Sequence, residues 1–222
     1  MLRNQTLSAA AEDCLLRIHR TSERETAAST SSLARELGVT DSTVTAMVQK
    51  LVRLKFVYHP QKREIALTPA GVQLARRLIR RHRLIETYLH EFLGYSWDEL
   101  HEEAERLEHV VSDHFVEAIN ERLGDPDADP HGDPIPDRKG HVVSRKLMRL
   151  SDAAAGMKGH IARVTNDRAD SLIYLTRLGI KLGMRVDVLD NPMNDSVVRL
   201  HLLKKNITIG KQVAAEILIE ML

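Results

Sequence analysis

The chain has 222 residues, 43% hydrophobic and 28% charged, which is enough to build a real core and suggests two domains, or one plus a small appendage. No apolar run approaches the ~20 residues of a membrane span, and the N-terminus lacks a signal-peptide segment. The single cysteine, Cys14, rules out an internal disulfide and fits a cytoplasmic protein, while an aromatic content of 4% argues against stacking platforms for single-stranded nucleic acid.

The net charge of +1 conceals a polarised chain. Eleven Lys/Arg stand against three acids between Leu33 and Arg83; sixteen Asp/Glu stand against two arginines between Leu84 and Asp137. A basic block attracts phosphate, and an acidic, histidine-bearing block attracts divalent cations. Solvated surface charge is the alternative, so the motifs must decide.

In chain order, residues 8–22 read as a helix with Leu7, Ala11, Leu15 and Ile18 recurring at helical spacing. A second helix, capped by Thr30 or Ser31, carries Leu33, Ala34 and Leu37 and ends at Gly38. The next, 41–54, buries Val44, Met47, Val48 and Leu51 and turns Ser42, Thr43, Thr45 and Lys50 outward. Short polar side chains near a helix N-terminus, with a lysine further along, suit base edges and phosphates. Two short strands, 56–59 and 64–68, follow, with Lys62 and Arg63 at the hairpin tip. Helix, glycine turn, polar-faced helix and basic-tipped hairpin, in that order, predict a winged helix-turn-helix. A helical bundle that merely packs is the competing reading.

Pro69 and Gly71 open a long helix to about Gly94 that places His82, Glu86 and His90 at i, i+4 and i+8. A further helix, 100–123, carries His101, Glu105, Glu108 and His109, which share one face at about 100° per residue. Two helices each presenting His and Glu predict a metal site. His101-Glu102-Glu103-Ala104-Glu105 misses the zinc-protease pattern, which needs histidine where Glu105 stands. No nucleophile elbow or phosphate loop occurs elsewhere, so no enzyme is expected.

Glu12-Asp13, the helix-turn-helix, RRHRLIETYLHEFLG at 80–94 and HEEAERLEHVVSDH at 101–114 resemble the diphtheria toxin repressor family. These are iron- and manganese-dependent bacterial repressors that include the manganese transport regulators. The resemblance is strong over 7–136, including HGDPIP, and weak afterwards. It implies a homodimer that binds palindromic double-stranded DNA operators only when loaded with metal. It also implies a ligand set of Asp13, His82, Glu86, His101, Glu105, Glu108 and His109. Iron-sensing members have methionine and cysteine where this chain has Asp13 and Glu105. Oxygen in place of sulfur favours manganese (Mn2+) over iron (Fe2+). A second N-terminal glutamate of the short manganese regulators is replaced here by Leu16, so their two-metal arrangement does not transfer unchanged.

Four of the seven prolines lie between Asp125 and Asp137, a linker composition. From Ser151 on, β-like runs at 159–164, 185–189, 197–203, 204–209 and 215–220 alternate with a helical stretch at 172–178. This end resembles the small SH3-like barrel of the longer family members, which can donate an ancillary ligand. Asp170 is the nearest candidate, with a solvated aspartate as the alternative. The expected fold is therefore mainly α with a small β domain. It divides into a winged helix-turn-helix (1–74), a helical metal-binding and dimerisation domain (75–137), a linker (138–150) and an SH3-like, FeoA-like domain (151–222). The expected function is a manganese-responsive transcriptional regulator, with iron (Fe2+) as the second candidate ion, most simply a repressor of metal-uptake genes. The alternatives are a regulator sensing an organic ligand or protein partner, and a metal-storage protein with a scaffold helix-turn-helix.

Overall fold

The computed structural model describes residues 7–23, 27–61, 64–166, 168–192, 195–202 and 204–222. The chain folds as two compact units. One contains the chain up to Arg81 together with Pro136–His141; the other contains His82–Ile135 and Val142–Leu222.

The first unit opens with α1 (Ala9–Glu23), α2 (Thr30–Leu37) and α3 (Asp41–Arg53). Local chemistry sets these boundaries. Ser29 and Ser32 form a reciprocal capping box at the start of α2, and Gly38 ends it at φ 64°, its N–H donating to the Ala34 carbonyl. Thr40 then caps α3 by accepting from the Thr43 N–H. Leu15, Ile18, Leu33, Val44 and Leu51 are fully buried between the three helices. Each such side chain contributes about 1.5–3 kcal/mol of burial. Strands β1 (Val57–Tyr58) and β2 (Ala66–Leu67) pair antiparallel as the wing, and Ala28 bridges Ile65 beside them. Lys62 and Arg63, the expected wing tip, lie outside the described residues.

Helix α4 (Pro69–Leu93) follows and carries the chain from the first unit into the second. In the first unit, its Arg76 and Arg80 donate to the carbonyls of Gly140 and Pro136 (3.2 and 3.0 Å). Two arginines counted in the basic block are thus occupied by the chain's own 136–141 segment.

In the second unit the expected helix 100–123 is two helices, α5 (Leu100–Glu108) and α6 (Asp113–Leu123). The break has a local cause: Ser112 caps α6 by accepting from the Phe115 N–H, with Asp113 in the first turn. Leu84, Ile85, Leu89, Leu100, Ala104 and Ile119 make the helical core.

The C-terminal part builds β3 (Met148–Arg149), β4 (Lys158–Val164), α7 (Ala169–Arg177), β5 (Arg185–Asp190), β6 (Val197–Leu202), β7 (Lys205–Gly210), α8 (Lys211–Glu216) and β8 (Ile217–Met221). The six strands form one antiparallel sheet in the order β3-β8-β4-β5-β6-β7, the SH3-like domain. Helix α8 takes the first residues of the expected strand 215–220. Trp97, the chain's single tryptophan, packs against both this core and the helical one. No helix is long and apolar enough to cross a membrane among the described residues.

Candidate metal centre

Helical spacing brings His82 and Glu86 to one face of α4, where they meet the side chains of α5. His82 Nε2 lies 3.0 Å from Glu86 Oε1 and 3.2 Å from His101 Nδ1. His82 Nδ1 lies 2.9 Å from Glu108 Oε2. His101 Nδ1 is 3.5 Å from Glu86 Oε1, and its Nε2 is 3.2 Å from Glu105 Oε1. His109, which ends α5, places Nε2 3.4 Å from Glu108 Oε1. Glu86 and Glu108 are buried while Glu105 is 54% exposed, so the group opens toward solvent at Glu105.

Two residues of the proline-rich stretch 125–137, outside the expected ligand set, also belong to this region. Asp129 and His131 are both buried, and with Glu86 they offer three ligand atoms within 4.8 Å of one another. His131 Nδ1 stands 3.9 Å from Glu86 Oε2, and its ring stacks on Trp97 at 5.7 Å and 18°. Proline-rich composition hid them. The available signal was an aspartate and a histidine two residues apart, the histidine opening the HGDPIP run.

The electrostatics are those of charge held out of water. Burial works against an imidazolium at His82, but hydrogen bonds to Glu108 and Glu86, and their charges, outweigh it; the pKa is pushed up to about 10. Burial likewise opposes a charged Glu86, yet hydrogen bonds from His101 and His82 and the charges of His82 and His131 hold its carboxyl well below the usual range. Asp129 goes the other way. Burial, then the charges of Asp133 and Glu86, push it up to about 8 against the pull of Arg83.

The donor set fits a divalent cation. Neighbouring ligands on an ion with bonds of ~2.1 Å stand about 3 Å apart. His82, Glu86 and His101 show that spacing, with all their ligand atoms within 4.8 Å. His131 Nε2 is buried without a hydrogen-bond partner among the described residues. Imidazole nitrogen with carboxylate oxygen, and no sulfur, makes a hard to borderline site.

The remaining expected residues fall as follows. His90 is exposed and turned to the Tyr95 carbonyl, away from the cluster. Asp170 is exposed in the first turn of α7 and bound to the Arg168 guanidinium, outside every donor cluster of the described residues. Asp13 lies half-buried on α1 in the other unit. On α3, Ser42, Thr43 and Thr45 are exposed and Lys50 is half-buried. The Thr40 hydroxyl meets those of Ser42 and Thr43 at 2.8 and 2.9 Å.

A winged helix-turn-helix joined to a buried histidine–carboxylate centre defines a metal-responsive DNA-binding regulator. Three family models match in succession: the iron-dependent repressor N-terminal DNA-binding domain over residues 6–65, its metal-binding and dimerisation domain over 68–137, and the FeoA domain over 148–221. The diphtheria toxin repressor of Corynebacterium diphtheriae is 30% identical over 71% of this chain and 74% of that one. The regulator MntR of Listeria monocytogenes is 34% identical over 50% of this chain and 77% of that one. A manganese-dependent transcriptional repressor solved in complex with manganese superposes with a TM-score of 0.85 at 35% identity, covering 96% of this chain and 100% of that one. The chain belongs to the iron-dependent repressor family of metal-dependent transcriptional regulators, which are DNA-binding proteins and not enzymes.

Proposed function

We propose that this protein is a manganese-responsive repressor that binds a palindromic operator as a homodimer and controls metal uptake. The observation that carries the reading is His82, whose two ring nitrogens stand between Glu86 and His101 on one side and Glu108 on the other. The proposed ligand set is His82, Glu86, His101, Glu105, Glu108 and His109, with Asp129 and His131 beside it, and Asp13 from the family resemblance. Bound there, a divalent cation would supply the positive charge that the protonated His82 supplies to Glu86 and Glu108 in its absence. The residues themselves do the rest: the carboxylates give up their mutual repulsion and the histidines shed protons. Cys14 is buried on α1, and its thiol is pushed up to about 11 by burial and by the charge of Asp13. Oxygen donors at Asp13 and Glu105 favour manganese over iron. A manganese-dependent repressor among the structural relatives supports the same choice.

Ser42, Thr43, Thr45 and Lys50, with Lys62 and Arg63 on the wing, are the proposed DNA contacts. The test is a DNA-binding titration of dialysed protein with manganese, iron and zinc. Manganese should restore operator binding that chelation removes. Arg63→Ala should weaken all sequences alike and flatten the salt dependence, whereas Thr43→Ala should change sequence preference. Equal binding with and without metal would end the metal-responsive reading.

A further inference from the structure

We propose that the SH3-like domain is a positioning element of the cation site, acting through the loop 129–135. The inference rests on the metal-binding reading above and goes beyond it.

One side of the loop faces the donor cluster. Asp129 and His131 stand there with Glu86, and Trp97 covers the His131 ring while its Nε1 donates to the Pro130 carbonyl at 2.7 Å. The other side is fastened to β4. The Val164 N–H donates to the His131 carbonyl at 2.8 Å. Gly132, at φ +84°, lies so close to β4 that a Cβ would stand 2.1 Å from the Ala162 carbonyl oxygen. Only glycine gives both that backbone conformation and that approach. Arg163, also on β4, forms an ion pair with Asp133.

The charges run on from there into the cluster. Asp133 also receives Arg83 at 3.2 Å, and Arg83 Nε lies 3.5 Å from Asp129. Arg163, Asp133 and Arg83 thus form a polar chain from β4 to the Asp129 carboxyl group. The Asp129 carboxylate, in turn, accepts the N–H groups of His131 and Asp133 at 2.9 Å each, which fixes the turn internally. With its turn fixed, the loop sits as a block wherever β4 holds it. The backbone bond from Val164 and the ion pair from Arg163 make this loop a direct link between the SH3-like sheet and the donor cluster. Groups that orient ligands from outside change metal affinity by about 10- to 100-fold when removed.

The experiment uses the full chain, stripped of metal, as wild type and as Gly132→Ala, Arg163→Met, Arg163→Lys and Asp170→Asn. Manganese affinity is measured by calorimetry, and Trp97 emission, the only indole signal in the chain, is recorded before metal is added. Gly132→Ala and Arg163→Met should weaken manganese about 10- to 100-fold and shift the emission. Arg163→Lys, which keeps the charge at a partly exposed position, should recover most of the affinity, and Asp170→Asn should match wild type. Wild-type affinity and emission in both loop variants would overturn the inference. So would a loss that Arg163→Lys does not recover and that leaves Trp97 unmoved, since that is general destabilisation. Should the wild type itself bind no manganese, the metal-binding reading fails first and this inference falls with it.

Discussion

The two compact units bury different things. The N-terminal unit closes mainly over aliphatic side chains from its three helices, burying only His19 and Arg80 among the acidic and basic side chains of its described residues, and keeps Ser42, Thr43 and Thr45 on the surface. The second unit buries Glu86, Glu108, Asp129 and His131 beside its aliphatic core. An apolar core stabilises a shape at any pH and any metal concentration. A buried set of carboxylates and imidazoles stabilises one only when its charges are matched, by protons or by a cation. One unit is therefore built to be constant and the other to be conditional.

The sharpest way to break this contrast is to remove one member from each. Glu86→Gln removes one of the two carboxylates paired with the His82 imidazolium and leaves Glu108 alone, and breaking a buried pair costs up to about 3–5 kcal/mol. The metal-free protein should lose that stability, and manganese should no longer restore either stability or DNA binding. Leu51→Ala in the first unit should cost about 2–5 kcal/mol through its cavity. That loss should be the same with and without manganese. Urea unfolding of both variants in chelator and in excess manganese measures the difference, and a metal-independent loss for Glu86→Gln would erase the distinction.

Protons probe the same contrast. His82 has its pKa raised to about 10 in the folded chain, against ~6.5 unfolded. Its contribution to stability is full below the unfolded value and is lost as pH rises through about 10. Asp129, raised to about 8 against ~3.9 unfolded, has the same sign and loses its contribution as pH rises through about 8. These two groups should therefore weaken the metal-free protein from pH ~4 to about 8 through Asp129 and from ~6.5 to about 10 through His82. The manganese-loaded protein should hold or gain, because the proton on His82 competes with the ion. Parallel pH profiles for the two forms would contradict the assignment.

Much of this was legible in the sequence, and the exceptions share a cause. Helix caps and apolar spacing are local, so α1 to α4 and the strands of the wing could be read from residues a few positions apart. His82, Glu86, His101 and Glu108 were legible because helical period alone gathers them on faces. The break after His109 was hidden because His101–Leu123 keeps a helical hydrophobic pattern while Ser112 competes through its cap. Asp129 and His131 were hidden for a deeper reason. Their burial depends on Gly132 lying against β4, some thirty residues on in sequence, and no local pattern encodes that.

Metal choice gives a smaller effect. Asp13→Met with Glu105→Cys replaces two oxygens by sulfur in the proposed ligand set. Activation of DNA binding should move from manganese toward iron, cobalt and nickel, measured by anaerobic titration with each ion. Retained manganese preference would mean that selectivity resides in the buried members, Glu86 and Glu108, and not at the two substituted positions.

The smallest effect compares one chemistry in both units. Thr40 and Ser112 are each N-caps whose hydroxyl accepts a backbone N–H, from Thr43 and Phe115 respectively. Replacing either by alanine should cost about 1 kcal/mol. In the first unit the loss should stand alone: Thr40→Ala lowers the unfolding midpoint equally in chelator and in manganese. In the second unit the cap does more, because Ser112 ends the turn that begins at His109, the residue beside Glu108. Loosening that turn lets α5 run on past His109 and moves its ring from Glu108. Ser112→Ala should therefore cost about the same in chelator and more in manganese, since any drop in metal affinity subtracts from the stabilisation that bound ion confers. Unfolding midpoints at several manganese concentrations separate the two contributions. Identical concentration dependence for Ser112→Ala and wild type would show that the break after His109 matters to the fold alone.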